Sequence, residues 1–159
     1  MFKFKNIGAF SVAHNIPYCT VPIGITLKNG YAVTYDEVAK TIALPTADTA
    51  KAKGLAVVYN EMDKAFNKDG TYANNENYTI VAGEYPRLIE LRSIESHIVM
   101  LDSTVIVTDY STLAVGDTLV ADVDGRWVKG DVTGYAEYLE ITALVSYGTK
   151  GLEAKVCVA

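Results

Sequence analysis

The sequence predicts an all-β fold, either an antiparallel β-barrel or a β-sandwich, and three observations carry that prediction. Apolar residues recur at period two or in short β-branched runs. Gly, Asn and Asp bound those runs, and the gaps between them have the length of turns rather than of helices. Turn-length gaps favour antiparallel meanders, because parallel strands need crossovers of about a dozen residues or more. Eleven tyrosines suit such sheets, since Tyr packs on a half-buried pleat while its hydroxyl stays in water.

Taken in order, the elements begin with "MFKFK" at 1–5, where aromatic and basic residues alternate, so an extended backbone puts Phe2 and Phe4 on one face. The segment reads as a first strand on its own sheet or as an arm that anchors on a neighbouring subunit. "GYAVTYD", "KTIAL" and "GLAVVYN" follow as strands between 30 and 60. Between the last two, "PTADTAKAKG" is the one stretch that invites a helix, of a turn or two, with Thr46 or Asp48 as cap and Gly54 as its end. Residues 60–78 are the richest in Asn and Asp, and their second half reads as a long exposed loop. "YTIVAG", "RLIEL", "HIVML", "TVIVTD", "DTLVADV", "RWVK", "AEYLEITALVSY" and "LEAKVCV" complete the strand inventory. The expected division is an N-terminal β-module at 1–66, an Asn-rich loop at 67–79 and a C-terminal β-module at 80–159, with one continuous domain as the alternative.

The two modules invite comparison. Setting Thr26 over Thr112 puts "TLKNGYAVTYD" over "TLAVGDTLVAD", so that the Thr, Leu, Gly and final Asp coincide. Turn composition alone produces about as many matches, so duplication stays an open alternative at this level.

Asp124-Gly125 between two apolar runs is a strong hairpin signal, and the loop length decides where the only tryptophan points. A two-residue turn places Trp127 opposite Asp122. A three-residue loop of Val123, Asp124 and left-handed Gly125 pairs Asp122 with Arg126 and Ala121 with Trp127, on the face that also holds Leu119. The second register is preferred, because it sets opposite charges across the strands and keeps roughly 2–3 kcal/mol of indole burial. Trp127 is then core rather than a stacking surface.

The net charge of −5 and pI near 5.0 argue against a nucleic-acid partner, and no run approaches the length of apolar residues that spans a membrane. "MFKFKNIGAF" lacks the continuous apolar run of a signal peptide. Cys19 and Cys157 have the apolar or β-branched flanks of buried thiols, and a bridge between them requires neighbouring terminal strands. His14 and His97 lack a second ligand at metal spacing, and "DVDG" at 122–125 opens like a calcium loop without its later ligands, so neither metal nor cofactor is expected. No nucleophile motif or phosphate loop occurs. Glu84, Glu90 and Glu95, with Arg87 and Arg92, could mimic a pair of catalytic carboxylates, but solvated strand edges account for them more simply. No enzymatic activity is expected.

The run "GDTLVADVDGRWVKGD", followed by "AEYLEITALV" and "GTKGLEAKV", resembles the C-terminal β-module of structural proteins of tailed bacteriophages, particularly head-decoration or capsid-accessory proteins. "LKNGYAVTYD" followed by "TADTAKAKGLAVVYN" is similar to their N-terminal pattern. The resemblance implies a non-enzymatic virion protein, assembled in the host cytoplasm, that binds the major capsid protein or another virion protein and stabilises the head, often as a homo-oligomer. It carries over no functional residue. Phe2, Phe4, Tyr72 and Tyr78 are the aromatic candidates for the partner interface. The alternatives are a tail, baseplate or head-fibre component, and a carbohydrate-binding β-module in which Trp127 and loop tyrosines stack on sugar rings.

Overall fold

The computed structural model describes residues 2–5, 13–60, 67, 70–71, 77–146 and 150–159, with the backbone alone for 2–4. Eleven strands form two antiparallel sheets, so the fold is all-β, and the described strands close no barrel. They are β1 Phe2–Phe4, β2 Asn15–Ile16, β3 Ala32–Asp36, β4 Thr41–Ala43, β5 Ala56–Val58, β6 Leu88–Glu90, β7 Ile98–Asp102, β8 Thr118–Ala121, β9 Trp127–Lys129, β10 Glu137–Ser146 and β11 Lys150–Val158. Their order is β2-β6-β5-β3-β4 in one sheet and β1-β7-β11-β10-β8-β9 in the other.

Apart from β1, the second sheet repeats the first. β7, β8, β9, β10 and β11 take the places of β2, β3, β4, β5 and β6 in the same neighbour order, every pairing antiparallel. The registers also agree. Ala32↔Val57 and Val57↔Ile89 in the first sheet correspond to Thr118↔Glu140 and Glu140↔Lys155 in the second. Tyr35↔Ile42 corresponds to Ala121↔Trp127. An isolated parallel bridge recurs as well, Thr20↔Thr41 and then Ile106↔Trp127. The chain is therefore a tandem repeat. Repeat 1 runs from β2 to β6 and repeat 2 from β7 to β11.

Each repeat has its own core at matching positions: Ile16, Leu27, Val33, Ile42, Ala56, Val58 and Leu88 in repeat 1, against Val99, Leu113, Leu119, Trp127, Leu139, Ile141 and Ala154 in repeat 2. The opposite face of the first sheet, Ala32, Val57 and Ile89, joins the second core. The first sheet is thus buried on both sides, and Leu55, Ala56, Val57 and Val58 form an unbroken buried run. The second sheet is covered on one side, and β10 alternates between buried and more exposed positions from Glu137 to Ile141.

The sheets divide at 91–97, between β6 and β7, and β1 crosses into the second sheet. Several expectations are corrected. "YTIVAG" contributes one bridge, Leu27↔Ile80, because the chain turns at left-handed Gly83. "TVIVTD" begins as a 3-10 turn, Ser103–Val105, since the Asp102 carboxylate accepts the Thr104 amide and diverts the strand. "PTADTAKAKG" makes a single turn, with Thr46 Oγ1 accepting the Thr49 amide at 3.1 Å and Gly54 left-handed at its end. Of the Asn-rich loop, the described part is clipped by Asn67, whose side chain donates to Asn77 O at 2.9 Å and accepts the Thr79 amide at 3.1 Å.

The β8–β9 hairpin has the three-residue loop. Ala121 faces Trp127, the Asp122 amide donates to Arg126 O, and Gly125 is left-handed at φ +83°. Trp127 is fully buried, and its Nε1 donates to Gly30 O at 2.8 Å across the repeat boundary. It presents no face for a sugar. The charges settle differently from expectation: Arg126 pairs with Asp124 at 2.5 Å, while Asp122 accepts the Val123 amide at 2.7 Å.

Three further contacts lock the repeats together. The Ala32 amide donates to Gly125 O at 2.7 Å, and a Cβ at Gly125 would lie 2.9 Å from Ala32 O, so only glycine fits. Glu137, wholly buried, accepts the Leu55 amide at 2.8 Å, the Gly54 amide at 3.1 Å and Arg92 Nε at 3.3 Å. The N-terminal segment runs antiparallel to the 88–101 stretch at both ends, pairing Asn15 with Ile89 in one sheet and Phe4 with Val99 in the other.

Candidate interaction surface

Four large apolar or aromatic side chains stand out into solvent at one end of repeat 1, while Val107, Val115, Val123 and Leu144 are exposed in repeat 2. Three of its loops, 17–25, 36–41 and 82–85, are tied together by backbone hydrogen bonds. The Thr20 amide donates to Lys40 O at 3.0 Å, Val21 to Glu84 O at 3.0 Å, and Gly83 to Val21 O at 2.9 Å. On these loops Ile23 is 96% exposed, Val38 95%, Tyr85 63% and Tyr18 38%. Local chemistry puts them there. Pro22 and left-handed Gly24 bracket Ile23 in a turn, and the Asp36 carboxylate accepts the Val38 and Ala39 amides at 2.8 Å, which holds the hairpin tip with Val38 outward.

The charge on these loops is mostly negative, with Asp36, Glu37 and Glu84 against Lys40. Partial burial pushes the Tyr18 phenol above its ordinary range, and Glu37, which hydrogen-bonds to it, adds to the shift. Tyr35 beside them is pushed up to about 12 by burial first, then by the Glu90 and Glu37 carboxylates. Both phenols therefore remain neutral donors at the acidic rim.

The matching end of repeat 2 is built otherwise. Its hairpin tip is seated on repeat 1 through Gly125, and burial of Asp124, which would raise its carboxyl, is outweighed by the Arg126 guanidinium that holds it low. On the outer side of the second sheet, Glu95, Tyr138, Glu140, Lys155 and Cys157 line a shallow cleft of about 250 Å³. Burial there raises the Cys157 thiol, with Glu140 adding to the shift, so the group is a neutral thiol rather than a nucleophilic thiolate.

The aromatic candidates fare unequally. Tyr78 is 3% exposed and belongs to the repeat 1 core, so its interface role is corrected: the Asn67 clip and the Leu27↔Ile80 bridge fold it inward. Tyr72 lies outside the described residues. Phe2 and Phe4 pair by backbone with Leu101 and Val99 in the second sheet, the first of the two readings for "MFKFK". Cys19 is buried in the repeat 1 core, Cys157 is half-buried on β11, and both are free thiols. Glu84 accepts the Val81 amide at 2.7 Å, Glu90 meets His14 Nδ1 at 3.1 Å, and Glu95 lines the cleft, so the three carboxylates are dispersed. Ser93 near His14 donates its hydroxyl to Glu90 O at 2.6 Å, which commits that proton to the backbone. Among the described residues no cluster of three metal ligands occurs.

Ile23, Val38, Tyr85 and Tyr18 were not singled out by the sequence pattern. The available signal was a lone β-branched residue inside a turn, "PIGI" and "DEVAK", where burial in a strand is impossible. Comparison with known protein families, curated proteins and solved structures finds no match.

Proposed function

We propose that this protein is a non-enzymatic structural component of a tailed-phage virion, most simply a decoration protein that binds the assembled head and stabilises it. The observation that supports this reading is the locked tandem repeat: Trp127, Gly125 and Glu137 join two β-units into one stiff body whose surfaces hold fixed positions relative to each other. A stiff body loses little conformational entropy on binding, and a ligand that binds only the assembled lattice stabilises it by its binding free energy. The two runs whose patterns resemble the N-terminal and C-terminal parts of head-decoration proteins lie one in each repeat.

The partner in this proposal is the major capsid protein in its assembled form, and the location is the virion. Purified chain mixed with DNA-filled heads that lack it is expected to co-sediment with them and to raise their disruption temperature. Free capsid subunits are expected to leave it in the supernatant. Equal recovery with and without heads would refute the assignment.

A further inference from the structure

The fold contains two hairpin tips at matching places, a four-residue loop after Asp36 and a three-residue loop after Asp122. In repeat 2 the tip that follows β8 is fixed to the first sheet by the Ala32 amide, which donates to Gly125 O, and its Val123 stays 55% exposed; Ala32, Val57 and Ile89 of that sheet face the second core. In repeat 1 the corresponding tip, between Asp36 and Thr41, ends in Val38 at 95% exposure, with Ile23, Tyr85 and Tyr18 on the adjoining loops. The second sheet has no matching apolar face among its described residues. At the positions that match Ala32, Val57 and Ile89 the second sheet carries Thr118, Glu140 and Lys155, the last two exposed. A head-to-tail contact with another copy would press Ile23 and Val38 against that charged face and strip water from Glu140 and Lys155, so a copy of this chain is a poor occupant.

We infer that the loop end of repeat 1 is the attachment surface of this chain, and that it seats on an apolar, sheet-like face of a shell protein bordered by basic groups. Two features of the tip support the match. Its exposed centre is apolar, with Ile23 and Val38 more than nine-tenths in solvent. Its border holds three carboxylates, Asp36, Glu37 and Glu84, to one ammonium, Lys40, which complements a basic rim. The inference rests on the shell-binding reading above and adds to it the surface used and the chemistry of the partner.

The test uses the full chain, DNA-filled heads that lack it, and the double variant Ile23→Lys/Val38→Lys. Both side chains are in solvent, so the variant should melt within a degree or two of wild type. Retention on heads is expected to fall by about tenfold or more, as for loss of central apolar anchors. Val115→Lys, at an exposed turn of repeat 2, is expected to bind like wild type. Binding of wild type should also weaken as salt rises, from screening of the charged rim. If the double variant binds heads as wild type does, the surface is wrong while the shell-binding reading stands. If wild type itself ignores heads, both fall. If wild type sediments as a dimer without heads and the double variant as a monomer, the occupant is a second copy and the proposed partner is overturned.

Discussion

The two repeats share strand order and register, yet corresponding positions face different surroundings. Val57 is fully buried between the first sheet and repeat 2, whereas Glu140, its counterpart, stands in solvent on the outer side of the second sheet. The loop ends differ as well: the repeat 2 tip is docked through Gly125 and leaves Val123 55% exposed, whereas the repeat 1 tip ends in Val38 at 95%. The backbone plan thus depends on the inward residues, which are apolar in both repeats, while the outward residues are set by whatever lies against them. This is the expected behaviour of a pleat, whose two faces are separate choices at every second residue.

The strongest way to break this comparison is to exchange outward residues. Val57→Glu buries a carboxylate with no designed partner and is expected to cost about 4 kcal/mol or more, or to prevent folding. The reciprocal Glu140→Val stays within about 0.5 kcal/mol. Urea denaturation of the pair measures the difference, and equal losses would mean that the faces are not distinguished as described.

Next in size is the inward pair Trp127 and Ile42. Trp127→Ala is expected to lose about 3–5 kcal/mol, because it empties the repeat 2 core and leaves Gly30 O without its indole donor. Ile42→Ala, confined to the repeat 1 core, is expected to lose about 2–4 kcal/mol. Amide hydrogen exchange sharpens the contrast: the tryptophan variant should loosen strands of both repeats, the isoleucine variant mainly β2 to β6.

The left-handed corners of the two hairpins give a smaller effect of opposite sign. Gly125→Ala is expected to destabilise by about 1–2 kcal/mol, from its φ of +83° and the approach to Ala32 O. Lys40 occupies the same corner of repeat 1 at φ +54° in open solvent, so Lys40→Gly should be neutral or stabilising by up to about 1 kcal/mol. Thermal melts of both variants decide it.

The smallest effect is alkaline. The fold holds the Tyr35 proton more tightly than the unfolded chain does, with about 12 against an ordinary value near 10. The stability this provides is complete below pH 10 and is lost as the pH climbs from there to about 12. Tyr35→Phe should flatten part of that decline in denaturant midpoints measured across the range, whereas a parallel decline would assign it to other groups.

Much of the architecture was legible where its cause is local. Asp124-Gly125 specified a turn, and the burial of an indole beside small Ala121 chose the register, because both depend on neighbours a few residues apart. The coincidence of "TLKNGYAVTYD" with "TLAVGDTLVAD" marked true counterparts: each has a left-handed glycine, Gly30 or Gly116, before a strand. Other features depend on distant partners. Ile80 and Ile106 stand in strand-like runs, yet each finds one bridge rather than a ladder. Arg126 had two carboxylates in reach and took the one within its own loop. The apolar loop end was hidden for a related reason, since exposure of Ile23 and Val38 follows from how three separate loops meet.

The pairing of Phe4 with Val99 and of Asn15 with Ile89 bears on how the chain acquires its structure during synthesis. Both segments leave the ribosome long before their complements exist, so β1 and β2 must wait while hairpins such as β3–β4 assemble. Closing such a long separation is slow and entropically opposed, and it belongs among the late events of folding. Until it happens, the edges of β6 and β7 are open to intruders, which makes a nascent or heat-stressed chain vulnerable to clumping in a way the finished molecule is not.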